Sequence, residues 1–331
     1  MVGGRAVIWY PWLTPVYKQL VAQYASDRKH HALLFQSIVG CGDQQLVQAI
    51  GRWLMCQNPQ GEKTCGICHN CNLMKAGTHP DWHIVEPEKG KTAIGVDQIR
   101  LLMEVLYNHA QQGGVKAVWF PQCEQLSEAA ANALLKTLEE PPADTYFLLS
   151  CHDASKLPAT IRSRCRLWVL NCPDEAFSIE WLKRQNAGDP DSLKTALRLS
   201  NGAPIAAQQL LTSTVWRNRE EVCHGLDSAF TQRDLLSLLP ALNHNNADER
   251  IHWAISLLLD VVKYQQRAAN FVVNQDCLSV IQRLANLASP QLFNCIAQNW
   301  LSCRYELLTV VGVNQELLLT NMLNQADQLL A

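Results

Sequence analysis

Four cysteines, Cys56, Cys65, Cys68 and Cys71, stand in the spacing C-x8-C-x2-C-x2-C. Thiolates two residues apart can reach one ion from a tight turn, and four soft ligands in a tetrahedron are what zinc takes. Gly61, Gly66 and Asn70 supply turn chemistry between them. Four protein ligands leave no open coordination position, so the role expected for the ion is structural rather than catalytic. An iron–sulfur cluster is the alternative, because four thiolates suit both. His69 lies inside the cluster and is a substitute ligand should one cysteine be absent. The cysteines follow a helical segment as an insertion, which would offer a surface to a partner.

A second constellation lies just upstream. Ala32-Leu33-Leu34-Phe35-Gln36 is a short apolar run that enters Gly40-Cys41-Gly42. A helical pattern follows, with Leu46, Val47, Ile50 and Leu54 on one face. Strand, glycine loop and helix is the layout of a phosphate-binding loop, whose working form reads G-x-x-x-x-G-K-[ST]. Aligned on Gly42, the chain has Ser37 at the first glycine, Asp43 at the phosphate-binding lysine and Gln44 at the magnesium-binding hydroxyl. A unit charge about 4 Å from another at an effective dielectric near 20 contributes roughly 4 kcal/mol, and Asp43 turns that attraction into repulsion. Nucleotide binding in the usual mode is therefore not expected. An ATPase also needs an acid on magnesium after its third strand. Here Pro121 and Gln122 follow Lys116–Phe120, and Glu124 comes too late to be in register. Two losses in one chain suggest a retired ATPase scaffold; from the loop alone, a plain glycine turn stays open.

The elements that must position these residues alternate between residues 31 and 170. Trp82–Val85, Val115–Phe120, Tyr146–Ser150 and Arg166–Leu170 read as further strands. Val96–Tyr107 reads as a helix, as does the alanine-rich run capped by Ser127 and ended by Pro141-Pro142. This alternation predicts a mostly parallel sheet covered by helices on both faces. After Cys172-Pro173 strand signals almost vanish. Residues 174–210 read as short helices broken at Asn201-Gly202-Ala203-Pro204, and the chain is helical from about 213 onward. The expected division is an α/β domain over 1–172 carrying the cysteine module (about 56–71), a small helical lid over 173–211, and an all-α domain over 212–331.

The 331 residues suit several domains, and 48% apolar content gives them cores. Net charge is −2, so a protein that grips nucleic acid alone is not indicated. No run reaches the roughly 18 apolar residues of a membrane span, and residues 1–8 carry no readable signal, so a soluble cytoplasmic chain is expected. Nine of the thirteen cysteines are scattered singly through apolar segments and are expected as unpaired, buried small hydrophobes in a reducing compartment.

Several runs together resemble the bacterial DNA polymerase III clamp-loader subunits of the AAA+ family. They are Gly95-Val96-Asp97-Gln98-Ile99-Arg100, the stretch Ala130-Ala131-Asn132-Ala133-Leu134-Leu135-Lys136-Thr137-Leu138-Glu139-Glu140-Pro141-Pro142, and Leu157-Pro158 through Ser163-Arg164-Cys165-Arg166. The likeness is strong over about 30–210; beyond, general helical character carries it. With its altered loop the chain resembles a family member without ATPase activity, binding no ATP of its own. The resemblance implies an AAA+-like sheet, a lid, and a C-terminal collar that joins a pentameric ring. It implies as partners the ATPase subunits (gamma or tau), the delta subunit, the sliding clamp indirectly, and primer-template DNA through the complex. Such a ring loads the clamp in chromosomal replication as part of a DNA-directed DNA polymerase holoenzyme. It also implies that Arg164, within Ser163-Arg164-Cys165, reaches in trans to the γ-phosphate of ATP on a neighbouring subunit, where its fixed positive fork would stabilise the leaving phosphoryl group. Without the resemblance, Arg164 reads as a surface cation paired with acids of its own chain. Two rival functions are an active ATPase of the same family, which Asp43, Pro121 and Gln122 oppose, and a zinc-module nucleic-acid binder, which the acidic balance opposes.

Overall fold

The computed structural model describes residues 8–26, 29–185, 188–310 and 312–330. Two compact units divide at Cys172–Pro173.

The first unit carries a five-stranded, all-parallel sheet of β1 (Ala32–Ser37), β2 (Trp82–Ile84), β3 (Lys116–Phe120), β4 (Thr145–Cys151) and β5 (Arg166–Leu170), in the order β2-β3-β4-β1-β5. β1 lies inside the sheet, with Leu34 opposite Leu149 on one side and Leu167 on the other. Its near-continuous Ala-Leu-Leu-Phe run is what a strand covered on both faces needs. One face packs on α4 (Val96–Leu106) and α5 (Glu128–Glu139), where Leu34, Val118, Phe120 and Phe147 meet Ile99, Leu106 and Leu134. The other face takes α2 (Asp43–Met55), which buries Leu46, Val47 and Ile50. Helix α1 (Thr14–Ala25) packs beside α2, and α3 (His69–Ala76) follows it. The predicted strand and helix ends agree to within a residue; Val85 lies just past β2 but still donates its N–H to the Trp119 carbonyl.

Two local departures from helix and strand rules have causes in packing. Gly51 sits in the interior of α2 because a Cβ there would lie 2.4 Å from the Trp82 ring. Lys116 is buried in β3, and its ammonium donates to the carbonyls of Leu106 and Asn108 (the latter at 2.8 Å) at the end of α4. A cation is favoured at that carbonyl-rich terminus.

The second unit is helical among its described residues. It holds α7 (Glu175–Gln185), α8 (Pro190–Leu199), α9 (Pro204–Leu210), α10 (Ser213–Gln232), α11 (Leu239–Leu242), α12 (Ala247–Gln265), α13 (Leu278–Leu284), α14 (Pro290–Thr309) and α15 (Gln315–Leu330); a four-residue α6 (Ala159–Arg162) belongs to the first unit. One apolar core runs from Leu182 through Trp300 to Ala326. Inside it, Arg219 is fully buried, pairs with Asp276 at 2.6 Å and Asn274 at 2.6 Å, and lies over the Trp216 ring. A buried guanidinium needs partners of this kind; the Nη groups have them, while Nε has none among the described residues. Thr195 of α8 donates to the same Asp276, which ties the short helices to the longer ones. No described helix is long and apolar enough to cross a membrane.

Candidate functional site

The four cysteines converge as their spacing requires. Cys56 caps the end of α2, Cys68 caps the start of α3, Cys71 lies in its first turn, and Cys65 comes from the intervening loop. Positive φ at Gly61 (60°) and Gly66 (73°) lets that loop double back, which glycine permits at low cost. All four sulfurs lie within 4.8 Å of one another. Cys56 and Cys65 Sγ are 3.6 Å apart, and Cys65 and Cys71 Sγ 3.9 Å apart. A zinc–sulfur bond of about 2.3 Å in a regular tetrahedron puts sulfurs about 3.8 Å apart, so the donor set fits one tetrahedral ion. Backbone N–H groups of Cys65, Cys68 and Cys71 point at the sulfurs of Cys56, Cys65 and Cys68 at 3.3–3.4 Å. Such donors stabilise thiolate charge. Lys75 closes the module by donating to the Gly66 carbonyl at 2.7 Å. His69 is not among the converging ligands.

The glycine loop joins β1 to the start of α2. Gly40 (φ 86°) and Gly42 (φ 97°) both occupy the left-handed region, and Gly42 immediately precedes α2. At the head of that helix stands Asp43, only 5% exposed. Burial pushes its carboxyl above the ordinary carboxylate range, opposed by the charge of His152. His152 in turn bonds the Ser37 carbonyl through Nδ1 at 3.2 Å, and its backbone N–H donates to Glu124 at 3.0 Å. Glu124, out of register for magnesium by sequence, thus holds the turn after β4. Gln44 is exposed and lines a cleft of about 480 Å³ together with Lys89, Lys91, Pro121 and Gln122.

Two contacts with the loop were not foreseen. The Trp12 indole donates to the Cys41 carbonyl at 2.7 Å. Cys41 is also disulfide-bonded to Cys172 (S–S 2.02 Å), so two of the cysteines expected as unpaired are joined. The cause is topological. β1 and β5 are parallel neighbours with Ser37 opposite Leu170, so the residues just beyond their ends arrive together. Cys123, Cys151, Cys165, Cys223 and Cys303 are free and buried, as expected; Cys277 is half-buried and Cys295 exposed.

The Ser163-Arg164-Cys165 run lies at the end of α6. Ser163 is the C-cap and its hydroxyl donates to the Thr160 carbonyl at 3.1 Å. Cys165 is buried, and burial pushes its thiol up to about 12. Between these anchors the Arg164 side chain reaches the surface. Its Nε donates to Glu139 Oε1 at 2.6 Å, Nη2 donates to the same oxygen, and Nη1 donates to the Thr160 carbonyl at 2.8 Å. The pairing with an acid of its own chain is therefore real in the isolated molecule. In the sequence Glu139 had stood out only as one residue of the run from Ala130 to Pro142.

Sheet order, the helical second unit and this motif at the end of α6 together define an AAA+-like clamp-loader subunit. Residues 12–174 match the family described as DNA polymerase III, delta subunit. Residues 173–212 match the DNA polymerase III subunit delta' AAA+ ATPase lid domain, and residues 213–328 the DNA polymerase III, delta subunit, C terminal family. The chain is 54% identical over 320 residues to DNA polymerase III subunit delta' of Yersinia pestis, covering 95% of this chain and 94% of that one. It is 46% identical to the Escherichia coli subunit delta', covering 97% and 96%. A solved DNA polymerase III gamma subunit-related protein of Thermotoga maritima shares the fold at 20% identity, with a TM-score of 0.50 over 97% of this chain and all of that one. The chain belongs to the DNA polymerase III subunit delta' family, the clamp-loader subunits of that polymerase.

Proposed function

We propose that this subunit turns over no ATP of its own and supplies Arg164 in trans to nucleotide held by a neighbouring clamp-loader ATPase subunit. The observation that carries the reading is the contrast between the two loops. The position of a phosphate-binding lysine holds a buried carboxylate, Asp43, whereas Arg164 stands at the surface on a fixed backbone. A planar, permanently charged guanidinium suits a γ-phosphate whose charge spreads as its bond breaks.

Around that role, residues 173–211 act as the lid and residues 212–331 as the collar. Exposed Leu301, Tyr305 and Leu308 recur along one stripe of α14, which supports a ring-joining role for the bundle. Cys56, Cys65, Cys68 and Cys71 hold zinc as a structural ion. The short sulfur–sulfur separations favour a single ion over a cluster, in which the four thiolates would be divided between two or more irons. The partners are gamma or tau and delta, with the sliding clamp and primed DNA reached through the assembled ring.

The test is ATP hydrolysis by the reconstituted complex, stimulated by clamp and primed DNA. The subunit alone should be inert. Arg164→Ala should assemble normally and lower hydrolysis at the site it faces by at least about tenfold, since such fingers contribute 10³ or more in other phosphoryl-transfer enzymes. Turnover by the isolated chain would refute the first half of the reading, and normal turnover by the assembled variant the second.

A further inference from the structure

We infer that Glu139 is a positioning residue for Arg164, holding the guanidinium in the pose from which it reaches the neighbour's nucleotide. This rests on the trans role of Arg164. A four-residue α6 and a buried Cys165 fix the backbone on either side of Arg164, but they do not fix its long side chain. The contacts with Glu139 and Thr160 do. Nε and one N–H of Nη2 are taken by a single carboxylate oxygen, and Nη1 is taken by a backbone carbonyl. The second N–H of Nη2 has no partner among the described residues, so the outer end of the fork is left for an acceptor from another chain. The Arg164 side chain remains 31% exposed, compatible with such access.

Glu139 is also in a place that local rules disfavour. It ends α5, where the carbonyl-rich terminus repels an acid. Breaking a helix rule at a residue that clasps a candidate catalytic side chain is the signature of a site shaped for function rather than for helix stability. A surface ion pair of this exposure adds little to stability, so a loss of activity on removing it would not come from unfolding.

In the reconstituted complex, Glu139→Ala should lower the stimulated kcat about fivefold while the KM for ATP stays within about twofold, because misplacing a catalytic group costs rate rather than binding. Glu139→Gln keeps an oxygen that accepts from Nε and Nη2 and should restore most of the rate. In the Arg164→Ala background, Glu139→Ala should have no further effect. Should Glu139→Ala fail to assemble, Glu139→Asp, which withdraws the carboxylate by one methylene, takes its place with the same expectation of lowered kcat. A rate at or above wild type for the assembled variant overturns the inference, and a rate above it identifies Glu139 as a brake. If Arg164→Ala turns over normally, the trans role falls and this inference with it; if Arg164→Ala is impaired and Glu139→Ala is not, only the positioning role falls.

Discussion

The cysteine module and the glycine loop lie at opposite ends of α2 and make opposite use of the backbone. At its C-terminal end, glycines with positive φ shape a loop whose side chains converge on one point, and four sulfurs make a site. At its N-terminal end the same device, Gly40 and Gly42, shapes a loop that carries an aspartate, Asp43, where a phosphate loop in use would carry lysine. The polar groups there are turned inward: Asp43 is buried beside His152, and Cys41 is tied to Trp12 and to Cys172. Backbone layout and site chemistry are thus separable. On the proposed reading, the glycine loop is held as a packing element of the sheet, whereas the small cysteine module depends on the ion its side chains would bind.

That contrast is most directly broken by removing one thiolate. Cys68→Ser should abolish the one zinc ion per chain expected by elemental analysis, and with it the order of residues 56–76. Structural zinc contributes on the order of 10 kcal/mol to small modules of this kind. Hydrogen exchange should show the loss confined to the module and its contacts with α1 and α2, including the 3.2 Å ion pair of Lys18 with Glu62. Unchanged zinc content together with unchanged assembly with partner subunits would remove the structural role.

The same contrast explains what could be read from the sequence. The cysteines were legible because ligand geometry is encoded in intervals of two to eight residues. The parallel sheet and its helices were legible because strands buried on both faces are apolar runs separated by helical periodicity. The motif at Arg164 was legible from its run of residues, but its clasp was not. Glu139 lies 25 residues away, Trp12 is 29 residues from Cys41, and Cys172 is 131 residues from Cys41. Those pairings depend on which strands become neighbours. Had the β1–β5 pairing been known, Cys41 and Cys172 would have been matched as the residues beyond two adjacent strand ends. Without it, each was one more small apolar residue.

A weaker perturbation of the loop sharpens the comparison. Closing a chain segment of 131 residues with a disulfide is expected to add about 5 kcal/mol against denaturant in oxidised protein, by restricting the unfolded chain. Cys172→Ser should therefore shift the first unit's unfolding midpoint down, and reductant should do the same to wild type but not to the variant. Zinc content should not change, since the cysteine module stands at the other end of α2. Equal midpoints for oxidised wild type and Cys172→Ser would mean that Trp12 and strand pairing alone hold the loop.

The smallest effect concerns Asp43. Its carboxyl is raised above its unfolded value chiefly by burial, so the folded state favours the protonated form. The sign follows: its contribution to stability is fully present below the unfolded carboxylate range near pH 4 and is lost as pH rises through the raised value. At neutral pH the buried carboxylate is a liability. Asp43→Asn should then raise the melting temperature of the first unit at pH 7 and lose that advantage as the pH is lowered toward 4. Here, if ATP at millimolar concentration fails to shift the melting temperature of either form, the cost has no ligand to offset it, and the loop is a packing element. A melting temperature lowered by Asp43→Asn at pH 7 would instead make the Asp43–His152 pair a net stabilising contact, placing the loop's polar groups closer in kind to the cysteine module.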